Sequence, residues 1–416
     1  MLNEHEDRRA IVEEMHLRRW PLLQAPCTVL QFVRLVDPAE REAERAAFEP
    51  PHVFRPDTGS GSRHLAGEVV AGVPFVWERH SEASTLSLFF AGNEPSADAY
   101  AWAAGLPGKV VRATRILIER DEASVLPLVD AQQFDPMHLV SCNVGQGEGA
   151  ASARIWSDFR LGDDGFGLVI IAANGLAASD LSRAVQRLQE LGNYRNLALL
   201  GLPVARRGWA ALDRIEERLI AIANQLPRDD VSDDHLLDEV TSLSIELAST
   251  AARDDYRMSA TEAYVALVEE RLNDLQVTPV AGFSSLGDFT QRRLMPAVRT
   301  CAAHRRRTEQ LAQRTAQFVS LFRTRIETRI EDQNAQVLAS MEANTVRQLQ
   351  MQQLVEGFSV VALTYYAVSL LGHLLDAAPA LDLHIDHDLA VLAATPLVAV
   401  TIWLLVHRAK ARVLSD

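Results

Sequence analysis

The sequence predicts an α+β cytoplasmic domain, mainly antiparallel sheet with helices, followed by a helical region, a long stalk helix and a C-terminal two-helix transmembrane hairpin. Three observations carry this prediction. Short runs rich in Val, Ile, Leu, Phe and Thr recur between turn signals in residues 1–175. Helical periodicity with few breakers fills the middle of the chain. Two almost uncharged apolar stretches, each of about bilayer length, lie near the C-terminus. The expected segments are 1–175, 176–283, 284–356, 357–407 (with spans 357–376 and 389–407) and a basic cytoplasmic tail at 408–416.

In the first segment the strand candidates are Cys27–Leu35, Phe75–Arg79, Thr85–Phe90, Val110–Ile118, His138–Val144, Ala153–Arg160 and Gly167–Ala172. Helices are expected at Ser96–Ala104 and Glu122–Ala131. The later strands are joined by glycine turns at Gly145–Gly149 and Gly162–Gly165, which suggests hairpins and hence antiparallel pairing.

From Ser179 the pattern becomes helical. Leu181, Val185, Leu188 and Leu191 share one helical face, and Gly201 with Pro203 marks a break or kink after Leu199. A second helix is expected from Trp209 to Leu226. A third, capped by Asp234, should run to Leu275, with Pro279–Gly287 as a linker. Between Asp288 and Leu375 only Pro296, Gly357 and Gly372 interrupt helix formation. Apolar residues recur there at Leu311, Phe318, Phe322, Ile326, Ile330, Val337, Met341 and Leu349. Their spacing averages nearer 3.8 than 3.5 residues per turn, so the seam suits a straight or right-handed bundle rather than a left-handed coiled coil. An unbroken helix of this extent would be about 130 Å long at 1.5 Å per residue. Such a helix needs partners, and a homo-oligomer through the stalk and transmembrane helices is the favoured expectation.

Phe358–Leu375 carries only His373 as an ionisable group, and Leu389–Val406 carries none. The loop between them, DAAPALDLHIDHD, lacks Lys and Arg, whereas His407, Arg408, Lys410 and Arg412 follow the second span. The positive-inside rule puts that tail in the cytoplasm and the loop outside, with Trp403, Arg408, Lys410 and Arg412 as interfacial anchors. A pair of buried core helices is the plainer alternative. In the first span Thr364, Tyr365, Tyr366 and Ser369 bring hydroxyls into hydrocarbon, either as helix-packing contacts or as a pore lining. His384, Asp386, His387 and Asp388 could ligate a divalent cation at a pore mouth. A solvated acidic loop that enforces topology would look the same.

The formal charge of −14 argues against a general nucleic-acid binder, so the expected partners are the lipid bilayer and copies of this chain. Only Lys109 and Lys410 are Lys; every other basic residue apart from His is Arg. Cys27, Cys142 and Cys301 form no ligand-spaced pair, which fits a reducing compartment, and the charged N-terminal stretch has no secretory core. No phosphate-binding loop, HExxH or GxSxG motif occurs, and no catalytic residue is assigned. Glu78, His80 and Glu82 alternate onto one face if their strand continues, as a metal or proton-transfer cluster or as an ordinary solvent face. No cofactor is identified; the clusters would take a divalent cation.

The blocks MHLRRWPLLQAPC (15–27), FVWERHSEASTLSL (75–88), ARIWSDFRLGDDGF (153–166), NYRNLALLGLPVA (193–205) and VEGFSVVALTYYAVSLLGHLL (355–375) resemble the bacterial DUF3422 family, in order and over most of the chain. The resemblance implies a membrane-anchored protein without an established activity, in the bacterial inner (cytoplasmic) membrane with both termini cytoplasmic. The layout is also similar to CorA-type divalent-cation channels. Those carry Gly-Met-Asn after the first span, where this chain has Leu371-Gly-His-Leu-Leu-Asp376. The expected function is therefore an oligomeric sensor or scaffold coupled through the stalk to the hairpin. A CorA-like channel or transporter without that motif is the alternative.

Overall fold

A strand that is apolar at consecutive positions must be covered on both faces, and Cys27–Leu35 (β1) is buried at all but its last position. The fold around it is known from a computed structural model, which describes residues 4–14, 20–49, 63–92, 94–132, 134–146, 151–228, 230–376 and 387–413. Contacts divide the chain into two compact units, Met1–Val319 and Ser320–Asp416.

In the first unit a short helix α1 (Arg8–Glu14) precedes β1, which is followed by α2 (Arg41–Ala46), β2 (His64–Val69), β3 (Val73–Arg79) and β4 (Ala83–Ala91). Next come α3 (Ala97–Ala104), β5 (Lys109–Glu119), α4 (Glu122–Ala131), β6 (Val140–Val144), β7 (Ala153–Ser157) and β8 (Gly167–Ala172). With β9 (Thr278–Pro279), the described strands form one sheet in the order β2-β3-β4-β1-β5-β8-β7-β6-β9. Neighbours are antiparallel except β5 and β8, which run parallel with Thr114 opposite Gly167. The sheet is therefore mixed: α4 and the β6–β7 hairpin intervene between β5 and β8 and return the chain in the same direction.

Alternation along β1 builds two cores. Val29 and Val33 face the layer formed with Ile116, Ile118, Ile155 and Ile171 and with the helical residues Leu181, Val185, Leu188 and Leu191. Leu30 and Phe32 face the other layer, with Phe75, Trp77, Leu86, Leu88, Phe48 and the small α3 residues Ala99 and Ala103. The first core joins sheet and later helices across residue 175, so α5 (Ala178–Leu199) belongs to the same packed body as the strands. Strand β2 escaped the sequence pattern because HLAGEV has Ala and Gly inside it. The expected linker starts at Pro279, the second of the two β9 residues that pair with β6, and ends inside the first turn of α8 (Leu286–Arg293).

The helices also correct the expected boundaries. α6 begins at Gly201 and runs to Gln225, eight residues before the expected start at Trp209. Leu200 keeps helical angles (φ −61°, ψ −22°), and Pro203 falls in the first turn of α6, where its missing N–H is not needed. α7 (Asp233–Asp274) is capped by Ser232, whose hydroxyl accepts from the Asp234 and His235 N–H groups; Asp234 is inside the helix. α9 spans Met295–Asp376 and α10 spans His387–Val413.

The second unit consists of the later part of α9 and α10. Ile330, Val337, Met341 and Leu349 of the apolar seam are all exposed. Two helical windows, one in the α9 region and one at Asp388–Ala409, are long and apolar enough to cross a membrane, and neither is buried. Hydroxyls of Ser359, Thr364, Thr395 and Thr401 donate to the carbonyls four residues earlier, which satisfies them without any outside partner.

Within the first unit, α9 lies against α6 and α7. Arg307 pairs with Asp213 at 2.6 Å and Glu216 at 2.5 Å, and Arg305 pairs with Glu262 at 2.6 Å. Beneath these surface pairs His304 and Asp254 are both buried, with Nε2 and Oδ2 3.6 Å apart, too far for a hydrogen bond. Gly208 opposite the imidazole has no side chain to displace it. Burial lowers the His304 pKa from its usual 6.5 and outweighs the opposing pull of Asp254, with Arg253 adding to the lowering. The folded state thus keeps the neutral ring while the unfolded chain accepts a proton near pH 6.5. Stability is whole above that value and declines as pH falls below it toward the depressed folded value. Denaturant midpoints measured from pH 8 to pH 5 should show this decline, with a shallower slope in His304→Gln.

Candidate functional site

The face of the sheet beneath α5 is apolar except for a polar island. Gln31 stands between Val29 and Val33 on β1, and its amide donates to the Ser87 hydroxyl of β4 at 3.0 Å. Arg112 of β5 donates to Gln31 at 3.1 Å and to Asn193 of α5 at 2.8 Å. Its guanidinium lies where a side chain at Gly192 would be, 2.6–2.9 Å from an added Cβ, so only glycine leaves room there. Burial, then the neighbouring Arg195 charge, lowers Arg112 to about 9. Arg195 is itself lowered to about 10 by burial and lies 4.5 Å from the Phe159 ring and 4.9 Å from the Phe289 ring. Gln189, one turn before Asn193, is buried with neither amide atom hydrogen-bonded among the described residues.

Next to this island, at the turn joining β3 to β4, a cleft of about 570 Å³ opens between the sheet and the helices. It is lined by Arg41, Arg63, Arg79, His80, Ser81, Tyr194, Tyr264, Leu267 and Arg271. His80 and Tyr194 also border a cavity of about 20 Å³ with Gln31, Glu78, Ser87 and Asn193, the size of one water molecule. The turn is held in place from α7: Arg257 grips Glu82 in a two-pronged pair at 2.9 and 2.6 Å, and Tyr256 reaches the same carboxylate at 3.5 Å. Tyr194 and Tyr264 stack with ring centres 6.1 Å apart. Burial, then the Glu82 charge, raises the Tyr264 phenol. Arg271 is fixed by Glu190 at 2.5 Å, Glu270 at 2.9 Å and Asp274 at 2.8 Å.

The structure does not assemble Glu78, His80 and Glu82 as one cluster. β3 ends at Arg79, so strand alternation stops before His80. Glu78 turns to His64, 3.4 Å away across the β2–β3 pair, and Glu82 turns to Arg257. Among the described residues, no three His, Cys, Asp or Glu side chains are grouped to hold a metal ion. Tyr365 and Tyr366 are exposed and meet edge to face, whereas the Thr364 hydroxyl is taken by Val360 and the Ser369 carbonyl accepts from His373 at 2.8 Å. Asp388 is exposed in the first turn of α10; His384 and Asp386 lie outside the described residues, as do the side chains of His387, Lys410 and Arg412. Trp403 is exposed and stacks on His407, and Arg408 is exposed.

The sequence matches the family described as "Protein of unknown function (DUF3422)" over residues 3–413. The chain belongs to the DUF3422 family. No curated protein and no solved structure matches it. In this DUF3422 protein the cleft residues come from α2, the residue before β2, the end of β3 and the turn after it, α5 and α7, segments far apart in sequence. One signal was readable: Tyr264 and Arg271, which line the cleft, and Arg257, which holds its turn, follow each other at steps of seven, which puts them on one face of α7.

The Glu82–Arg257 pair has 10% and 19% of its side-chain surfaces exposed, so removing one partner strands a largely buried charge. Arg257→Ala should lower the unfolding free energy by about 3 kcal/mol. Glu82→Ala should do the same, and the double variant should lose clearly less than the sum. Denaturant unfolding followed by tryptophan fluorescence measures all three.

Proposed function

We propose that this DUF3422 protein is an oligomeric, membrane-anchored protein whose cytoplasmic α+β domain senses a ligand, coupled through the long helix to a two-span hairpin. The observation that carries this reading is the exposure of apolar surface in the second unit. Both candidate spans have no buried residues, and Ile330, Val337, Met341 and Leu349 of the preceding seam are exposed. Each large side chain left in water forgoes about 1.5–3 kcal/mol of burial, so lipid around the spans and neighbouring copies along the seam are the stabilising surroundings. The acidic loop and the basic residues in the last turns of α10, after the second span, support cytoplasmic termini in a bacterial inner membrane. The cleft at the β3–β4 turn, ringed by arginines, supports a ligand-binding role for the first unit.

A second reading is a divalent-cation channel with a CorA-like plan. Its support is the pair of exposed phenols, Tyr365 and Tyr366, on an otherwise apolar span. Thr364 contributes less to a pore lining, because its hydroxyl is already spent on its own helix.

A carbonate wash of membranes should leave the protein in the pellet; full release would overturn the anchor. Assembly is read from cysteine cross-linking, for which the native thiols are quiet: all three are buried, and burial pushes Cys27 and Cys142 up to about 11. Met341→Cys on the seam should oxidise to a linked dimer, while Ala343→Cys, on the opposite face, should remain a monomer. Liposomes holding the pure protein should show no Mg²⁺, Zn²⁺ or Co²⁺ flux. Flux that disappears when Tyr365 and Tyr366 become Phe would favour the channel.

A further inference from the structure

We propose that the cleft at the β3–β4 turn is a binding site for a diphosphate-bearing small molecule. This deepens the sensing role proposed above, by naming the ligand class of the same cleft. Acids outnumber bases in this chain by 55 to 41, yet the cleft lining holds four arginines and a histidine and no carboxylate. Arg271 is neutralised by its three acidic neighbours. Arg41 donates to the Ser81 carbonyl at 3.1 Å, a contact that leaves its charge uncompensated. Arg41, Arg63 and Arg79 have no ion pair among the described residues.

Three guanidinium charges converging on one cleft repel each other, and an anion that enters relieves the repulsion. Guanidinium forks match the paired oxygens of phosphate and carboxylate groups. The charge selects between these. A phosphate group carries about −1.5 to −2, so two linked phosphates match three arginines, whereas a single carboxylate leaves most of the charge unmet. A volume of about 570 Å³ exceeds what a diphosphate fills and lies within the roughly 300–1,000 Å³ range of small-molecule sites. The stacked Tyr194–Tyr264 pair and Leu267 form an apolar wall for the rest of the ligand. The Glu82–Arg257 clamp and the acidic grip on Arg271 hold the walls before a ligand arrives, which lowers the ordering cost of binding.

The test is calorimetric titration of the full chain in detergent with inorganic pyrophosphate, ADP and geranyl diphosphate. Pyrophosphate should bind, more weakly as salt is raised. Arg63→Gln and Arg79→Gln should each weaken it by roughly tenfold or more, the effect of losing one charge-assisted contact. Arg218→Gln, which removes a surface pair with Glu246 on α6 and α7, should leave binding unchanged. Arg63 is exposed, so its variant keeps the fold even if the half-buried Arg79 does not tolerate change. Tighter binding of ADP than of geranyl diphosphate supports a nucleotide as the source of the diphosphate, and the reverse order supports a prenyl lipid precursor. Absence of binding by all three probes at about 1 mM, or equal affinity in wild type, Arg63→Gln and Arg79→Gln, overturns the proposal. Either of these results leaves the carbonate and cross-linking outcomes untouched, so the anchor and the ligand stand or fall separately.

Discussion

Everything in the first unit follows from the need to cover both faces of β1 and its neighbours. Val29 and Val33 look one way, Leu30 and Phe32 the other, and neither set can face water. α3 with Phe48 closes one side, while α5, backed by α7, closes the other. Because α5 must lie flat on the sheet, its polar residues are carried into the interface with the apolar ones. Gln189 is buried there, and Asn193 meets Arg112, which also donates to Gln31. The polar island is a by-product of that geometry.

Charge is distributed just as unevenly. A chain with a strong acidic excess concentrates arginines at one end of the β3–β4 hairpin and keeps two more, the half-buried Arg112 and the buried Arg195, without a carboxylate partner among the described residues. Buried cations without counter-charges are costly, and the lowering of both side chains expresses that cost. Amide oxygens and aromatic faces offset it in place of acids.

Much of this was legible in the sequence, and the failures have definite causes. The seven strand candidates and the two short helices of the first segment were recognised from period and turn residues, because apolar alternation and glycine turns are local properties. β2 was missed because Ala66 and Gly67 dilute its pattern, and β9 because two residues carry no period at all. The start of α6 was misplaced because Gly201 and Pro203 read as a stop signal, although both residues are tolerated in a first turn. The parallel β5–β8 pair was invisible, since direction in a sheet depends on how many elements intervene. The cleft was legible only in fragments. His80 and Glu82 were noticed for their own chemistry, but Glu82 is a clamp to α7, and the partners that give His80 its setting are distant in sequence.

The last strand has a consequence for whether the sheet can be extended. β9 pairs Thr278 with Asn143 and Pro279 with Cys142, and it is the outermost strand on that side. Proline has no N–H to offer a further strand, and two residues present too short a template for one to register. The sheet is therefore blunted at this margin, and growth by strand addition is discouraged there. Such blunting works against open-ended stacking of sheets, the route that ends in fibres.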